Sequence, residues 1–178
     1  MAGRGLTGVL LVGGASRRFG APKALARLGE ETLAERAWRV LGEACDERLA
    51  VGKLADGLQL PFPIEDDGTG VRAPLAGVVA GLRAAAHEVC VFLPVDCPLV
   101  TTELLRGLAD ACADAAVTSQ GPLPGAYRKS ALAVLERRLA GGNLSLRGAL
   151  AELGTRLVEA DPALLVNVNE PDDLRSLR

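Results

Sequence analysis

Short, unbroken runs of apolar residues alternate along this chain with longer segments in which apolar residues recur every three or four positions. The unbroken runs suit strands buried on both faces, and the spaced pattern suits helices buried on one face. The runs predict strands at residues 6–12, 47–52, 89–95, 115–119 and 164–168. The spaced segments predict helices at residues 31–45, 74–88, 101–115, 128–142, 145–153 and 170–178.

This alternation predicts an α/β fold, a three-layer sandwich around a mostly parallel, Rossmann-like central sheet. The chain has 178 residues, of which 49% are hydrophobic, so it can bury a substantial core, and we expect a single domain over residues 1–178. Ligands of such sheets bind beyond the carboxyl ends of the strands. Glycine-rich or acidic segments that directly follow a predicted strand are therefore the candidates for a functional site.

The first such segment is "VGGASRRFGAPK", which follows the first predicted strand. Gly13 and Gly14 allow a sharp turn with no Cβ between the backbone and a ligand, and backbone N–H groups in such a turn can hold phosphate oxygens. Arg17, Arg18 and Lys23 add the positive charge that a polyphosphate requires. The segment matches neither the P-loop nor the GxGxxG pattern. The alternative is a glycine turn that carries solvated cations.

The second segment is "LPVDCPLV", in which Asp96 follows a strand of apolar residues. A carboxylate there must be solvated, paired or bound to a metal. Mg²⁺ prefers one or two carboxylates together with phosphate oxygens and water, so Asp96 is a candidate ligand. The alternative is that Asp96 caps the following helix.

The third segment is "PIEDDGTGVRAPLAG", in which Asp66 and Asp67 precede a glycine-rich loop and a helix start. These carboxylates could accept hydrogen bonds from ribose hydroxyls or from base N–H groups. They could equally belong to an ordinary turn, which is the simpler interpretation of the segment taken alone.

Charge and cysteine content exclude several other functions. The formal net charge is −2, which argues against a nucleic-acid or membrane partner bound through a basic surface. No apolar run has the length of a membrane span, and we expect a cytoplasmic protein. The four cysteines form no CxxC pair, and His87 is the only histidine, so neither a zinc site nor a Ser-His-Asp triad is expected.

Four segments together resemble a known family. "LLVGGASRRFGAPK" is similar to the GGxSxRxGxxK signature of the MobA-like nucleotidyltransferases. "APLAGVVAGL" and "LPVDCPLV" resemble that family's GPLAG segment and its metal-binding aspartate loop, and "GPLPGAYRKSAL" and "NVNEPDDL" resemble its later segments. The resemblance covers nearly the whole chain, in the family's order. Within the family, the segments look most like those of the molybdenum cofactor guanylyltransferases.

The resemblance implies a role for particular residues. Leu11, Val12, Gly13 and Gly14 would contact the nucleotide through the backbone, and Arg18 and Lys23 would hold its phosphates. Asp66 would lie near the guanosine, and Asp96 would bind Mg²⁺. Asn169 would lie beside the acceptor or the metal.

The implied activity is transfer of GMP from GTP to molybdopterin-bound molybdenum, with pyrophosphate as the second product. GTP and molybdopterin would be substrates, and other molybdenum cofactor biosynthesis or acceptor proteins would be partners. Ala73 replaces a glycine of the family pattern, and Gly52 and Lys53 stand where an asparagine is common near the guanosine. The sequence therefore leaves open a sibling enzyme that uses CTP or a sugar-phosphate acceptor, and a non-catalytic nucleotide-binding module.

Overall fold

A seven-stranded sheet forms the centre of the protein, which is described by a computed structural model over residues 5–13 and 19–177. In chain order the strands in these ranges are β1 (Leu6–Leu11), β2 (Arg27–Leu28), β3 (Glu31–Thr32), β4 (Glu47–Gly52), β5 (Glu65–Asp66), β6 (Val89–Pro94), β7 (Ala115–Thr118), β8 (Gly121–Arg128) and β9 (Thr155–Val158). The α-helices in the same ranges are α1 (Leu33–Ala44), α2 (Pro74–Ala84), α3 (Thr102–Ala111), α4 (Leu132–Ala140), α5 (Leu146–Ala149) and α6 (Pro171–Ser176).

The order of strands across the sheet is β5-β4-β1-β6-β8-β7-β9. Strand β8 is antiparallel to both of its neighbours, and the remaining neighbouring pairs are parallel. Strands β2 and β3 form a separate antiparallel pair. The prediction of a mostly parallel central sheet is confirmed.

Helices cover both faces of this sheet. Successive residues of each central strand point to opposite faces and therefore pack against different helices. Leu10 and Val12 belong to a buried cluster with residues of α1, α3 and α6. Val9 and Leu11 belong to a second cluster with residues of α2, α4 and α5. Continuous apolar sequence in β1 thus reflects burial on both faces, and the predicted three-layer sandwich is confirmed.

Local capping sets where helices α1 and α3 begin. The Thr32 hydroxyl accepts a hydrogen bond from the backbone N–H of Glu35, and the Glu35 carboxylate accepts one from the backbone N–H of Thr32. This capping box starts α1. The Thr101 hydroxyl caps α3 by accepting a hydrogen bond from the backbone N–H of Leu104. The helix predicted over residues 74–88 ends earlier, at Ala84.

One predicted strand is wrong. Residues 164–168, "LLVNV", do not join the sheet: Asp161 accepts a hydrogen bond from the N–H of Ala163 and, with Pro162, starts a 3₁₀ helix over Pro162–Leu165. The chain then runs past the carboxyl end of β6, where the N–H of Val168 donates to the carbonyl of Asp96 at 2.8 Å. This path brings the C-terminal segment to the edge of the sheet where ligands bind.

The connections place a crevice at that edge. Helix α1 connects β1 to β4 and packs on one face of the sheet, whereas α2 connects β5 to β6 and packs on the other. Strand β1 lies between β4 and β6. The chain adds β4 and then β5 on one side of β1 and returns to add β6 on the other side, so the strand order reverses direction at β1. Ligands of open α/β sheets bind at such a point. No helix in the described part of the chain has the length and hydropathy that crossing a membrane requires.

Candidate active site

A cleft of about 440 Å³ opens at the carboxyl ends of β4, β1 and β6. Five of the residues predicted for the site line it: Leu11, Val12, Gly13, Lys23 and Asp96. The predicted residues Gly14 and Arg18, with the neighbouring Arg17, lie outside the described residues. The cleft thus combines backbone from the end of β1 with charged side chains from both sides of it.

Three distant parts of the chain meet at Lys23. Its ammonium nitrogen, Nζ, lies 3.3 Å from Oδ2 of Asp96 and 3.2 Å from Oδ1 of Asn169. The side chains of Lys23 and Asp96 are 16% and 28% exposed, so both are mostly withdrawn from water yet open to the cleft. The structure therefore brings together Lys23, Asp96 and Asn169, which the sequence predicted separately.

Backbone and side-chain contacts hold Asp96 at the end of β6. The N–H of Val95 donates to the carbonyl of Leu11 at 3.1 Å, which extends the ladder between β1 and β6. The adjacent Cys97 thiol donates to Oδ1 of Asn167 at 2.9 Å, and burial raises the pKa of this thiol. Because Thr101 is the N-cap of α3, Asp96 does not cap that helix, and its carboxylate remains available for the cleft.

The start of α6 positions Asn169. The carboxylate of Asp173 accepts hydrogen bonds from the backbone N–H groups of Asn169, at 2.7 Å, and Glu170, at 2.9 Å. These two donors hold the pKa of Asp173 below its usual range. Asp173 was not predicted as a positioning residue, although it lies three residues after Glu170 at a helix start, which is the capping-box spacing.

The opposite end of the cleft, beside β4, holds a second ion pair. Nζ of Lys53 lies 2.6 Å from Oδ1 of Asp67, and these side chains are only 10% and 8% exposed. The N–H of Asp67 donates to the carbonyl of Gly52 at 3.0 Å, which ties the pair to the end of β4. Both charged residues line the cleft.

Asp66, the residue predicted to lie near the guanosine, lies at the end of β5, beside the cleft. It is exposed and is not one of the cleft-lining residues. Its carboxylate accepts hydrogen bonds from the backbone N–H groups of Leu54 and Gly68, each at 2.8 Å, and these donors lower its pKa. In this structure Asp67, its neighbour, faces the cleft.

The donor atoms near Asp96 fit a magnesium ion. Asp96 and Asn169 offer carboxylate and amide oxygens, the ligand types that Mg²⁺ prefers, and Mg²⁺ completes its shell with phosphate oxygens and water. Within residues 5–13 and 19–177 there is no cluster of three or more His, Cys, Asp or Glu side chains that could hold a metal. The oxygens of Asp96 and Asn169 would leave the other positions around the ion to phosphate oxygens and water.

Comparison with known proteins agrees with this geometry. Residues 8–158 match the MobA-like NTP transferase domain. The chain belongs to this family. The resemblance found in the sequence motifs is confirmed, and the cleft is that of a MobA-like nucleotidyltransferase domain.

Relatives within the family are similar over nearly their whole lengths. A probable molybdenum cofactor guanylyltransferase of Chloroflexus aggregans is 36% identical and is aligned over 96% of this chain and 92% of its own. A molybdenum cofactor guanylyltransferase of Pseudomonas putida is 34% identical over 94% of both chains. The crystal structure of molybdopterin-guanine dinucleotide biosynthesis protein A from Archaeoglobus fulgidus superposes with a TM-score of 0.81 at 27% identity, covering 96% of this chain and 95% of that one.

Proposed function

We propose that this chain is a molybdenum cofactor guanylyltransferase that transfers GMP from GTP to molybdopterin-bound molybdenum and releases pyrophosphate. The names of the two guanylyltransferase relatives support these substrates. The structural observation that carries the proposal is the contact of Lys23 with Asp96 and Asn169 beside a cleft at the carboxyl edge of the sheet.

The reaction needs positioning and charge more than covalent chemistry. The terminal phosphate of the acceptor attacks the α-phosphorus of GTP in line, and the pyrophosphate leaves on the opposite side. Lys23 contributes a cation that offsets negative charge on the phosphates, and its contacts with Asp96 and Asn169 hold that cation at one place in the cleft. Leu11, Val12 and Gly13 line the cleft, and their backbone groups would contact the nucleotide and help to position it.

We also propose that Mg²⁺ is the metal of this reaction. Nucleotidyltransferases of this family typically use a divalent metal. Asp96 would hold the ion, with Asn169 beside it. When bound, Mg²⁺ would polarise the phosphate oxygens and offset the charge that develops on them. Asp66, Gly14 and Arg18 remain proposed nucleotide-binding residues on the strength of the family resemblance.

The test is a comparison of nucleotides with the purified protein. GTP with Mg²⁺ should raise the melting temperature more than ATP, CTP or UTP, because a ligand that binds only the folded state stabilises it. With molybdenum-loaded molybdopterin present, GTP should give the fastest pyrophosphate release and a guanine dinucleotide product. If CTP gave the larger stabilisation and the faster release, the guanylyl assignment would fail while the family assignment stood. Binding of GTP with no pyrophosphate release would instead indicate a non-catalytic module.

A further inference from the structure

Lys53 and Asp67 form a nearly buried ion pair in the cleft wall that the proposed reaction does not use. The three protons of Lys53 Nζ have three acceptors within reach: Oδ1 of Asp67 at 2.6 Å, the carbonyl of Thr69 at 2.5 Å and the Thr69 hydroxyl at 3.4 Å. The lysine is therefore fully engaged by the protein. It is poorly suited to bind a phosphate and well suited to fix the position of Asp67.

Asp67 itself is only half satisfied. Oδ1 accepts hydrogen bonds from Lys53 and from the backbone N–H of Thr69 at 3.0 Å. Oδ2 accepts none from the described residues, although the side chain is 8% exposed and lines the cleft. Because Oδ2 is not sealed inside the protein, a ligand in the cleft can reach it and supply the hydrogen bond that the described residues do not.

The position of this oxygen indicates which part of a nucleotide it meets. Lys23 and Asp96, the proposed phosphate and metal residues, lie at the β6 end of the cleft. Lys53 and Asp67 lie at the β4 end, on the far side of β1, which is two strand spacings or roughly 10 Å away. With the phosphates at the β6 end, the nucleobase falls at the β4 end. Val71, Ala73 and Pro74, which follow Asp67 in the chain, also line the cleft and offer the base an apolar surface.

We infer that Asp67 is a specificity-determining residue for guanine, and that Lys53 is the positioning residue that holds it. This inference rests on the proposed function, in which GTP is the substrate. Guanine presents two adjacent donors, N1–H and the N2 amine, to a single acceptor such as Oδ2. Adenine and cytosine place a ring-nitrogen lone pair beside their amine, and uracil flanks its N–H with carbonyls, so a carboxylate repels part of each of these edges.

The decisive variant is Asp67→Asn, because it reverses the hydrogen-bonding character of one atom. Lys53 and the N–H of Thr69 require an acceptor and therefore keep the amide oxygen at the Oδ1 position. The amide NH₂ then replaces Oδ2 and presents donors to the base. Affinity for GTP should fall at least about tenfold, because a hydrogen bond to a charged group is lost. Xanthosine triphosphate, which carries an oxygen in place of the N2 amine, should gain at least about tenfold relative to GTP.

Binding is measured by titration calorimetry without acceptor, so the result does not depend on turnover. Glu65→Gln is the matched control, since Glu65 is exposed on β5 and makes the same change of charge next to the loop. It should leave the ratio of xanthosine triphosphate to GTP affinity unchanged. Asp66→Asn decides between the two neighbouring carboxylates: a shift of that ratio in Asp66→Asn but not in Asp67→Asn would overturn the inference.

Two further measurements keep the inference testable if Asp67→Asn does not fold. Wild-type protein should bind inosine triphosphate, which lacks the N2 amine, about tenfold more weakly than GTP, and equal binding would overturn the inference. Lys53→Gln should reduce this preference, because Asp67 loses its strongest partner; an unchanged preference would remove Lys53 from its positioning role.

A wild-type preference for CTP over GTP would refute the proposed function as well as the inference. A folded Asp67→Asn protein with an unchanged base preference would refute only the inference.

Discussion

Replacing Lys23 with alanine tests the candidate site by separating its effect on stability from its effect on activity. The variant loses the ion pair with Asp96, whose atoms lie 3.3 Å apart, and the hydrogen bond to Asn169. Exposed ion pairs contribute about 0–1 kcal/mol, and removing one partner of a buried pair costs about 3–5 kcal/mol. At 28% exposure Asp96 can take up water from the cleft. We therefore expect a loss of about 1 kcal/mol, or roughly 2–4 °C in melting temperature.

The expected effect on activity is larger. A cation that binds the phosphates of GTP makes charge-assisted hydrogen bonds, which contribute about 1.5–3 kcal/mol. Losing one should lower kcat/KM at least about tenfold. The assay is pyrophosphate release with GTP and molybdenum-loaded molybdopterin, beside thermal melts of the same samples.

Lys129→Ala provides the matched control. Lys129 is also half-buried, but its ammonium donates to the carbonyl of Ala85 and its N–H donates to Glu88, at the opposite edge of the sheet from the cleft. This variant should lose stability without losing turnover. Near-native turnover in a folded Lys23→Ala protein, or an equal loss of turnover in both variants, would refute the role given to Lys23.

Three further predictions address the metal residue, a helix cap and the response to acid. Asp96→Asn should retain the fold and lose most divalent-metal-dependent pyrophosphate release; unchanged release would mean that the metal site lies elsewhere. Thr32→Ala removes the capping hydroxyl of α1 and should cost about 1 kcal/mol in denaturant unfolding, without a change in GTP affinity. The Ser130 hydroxyl and a backbone N–H hold the pKa of Asp114 below its ordinary value of 3.8. The stability that Asp114 contributes is therefore present above pH 3.8 and is lost as pH falls through the lowered pKa. Melts of wild type and Asp114→Asn should differ near neutral pH and converge in acid, and a difference independent of pH would contradict this reasoning.

The sequence predicted those parts of the fold whose signals are local. Strands β1, β4 and β6 are buried on both faces in at least part of their length, so burial leaves a continuous apolar run in each. Helix α1 carries its own start signal in Thr32 and Glu35, and its predicted start was correct to within two residues. These elements bound the cleft, which is why the site's position at the sheet edge could be predicted.

Strands β8 and β9 could not be recognised in this way. Strand β8, "GPLPGAYR", contains two prolines, which weigh against a central strand. The structure accommodates them because β6 pairs only with residues 125–128, and an irregularity in the pairing with β7 leaves Pro122 and Pro124 out of the ladder. Strand β9 lies at the edge of the sheet, where Arg156 and Leu157 are exposed, so burial leaves no pattern in its sequence.

Contacts between residues far apart in the sequence form the parts of the site that could not be predicted. Lys23 and Asn169 are 146 positions apart, and they meet only because the segment predicted as a strand at residues 164–168 crosses the sheet edge instead. The pattern of neighbouring residues does not indicate whether Asp66 or Asp67 faces the cleft. Pairing of Asp66 with Gly52 and the hydrogen bond from Asp67 to Gly52 turn the second carboxylate into the cleft.

The charges around the cleft also account for the cations that follow the first strand. Among the described cleft-lining residues, the charged side chains are Lys23, Lys53, Arg72, Asp67 and Asp96, which leave a net charge of only one positive unit. Lys53 is moreover committed to Asp67 and Thr69, and Arg72 is paired with Asp56. A nucleoside triphosphate carries several negative charges, so this set alone neutralises it poorly. Two sources of positive charge can make up the difference, a divalent cation on Asp96 and the arginines of "GGASRRFG". This requirement gives a physical reason for expecting Arg18 to hold phosphate that is independent of the family resemblance.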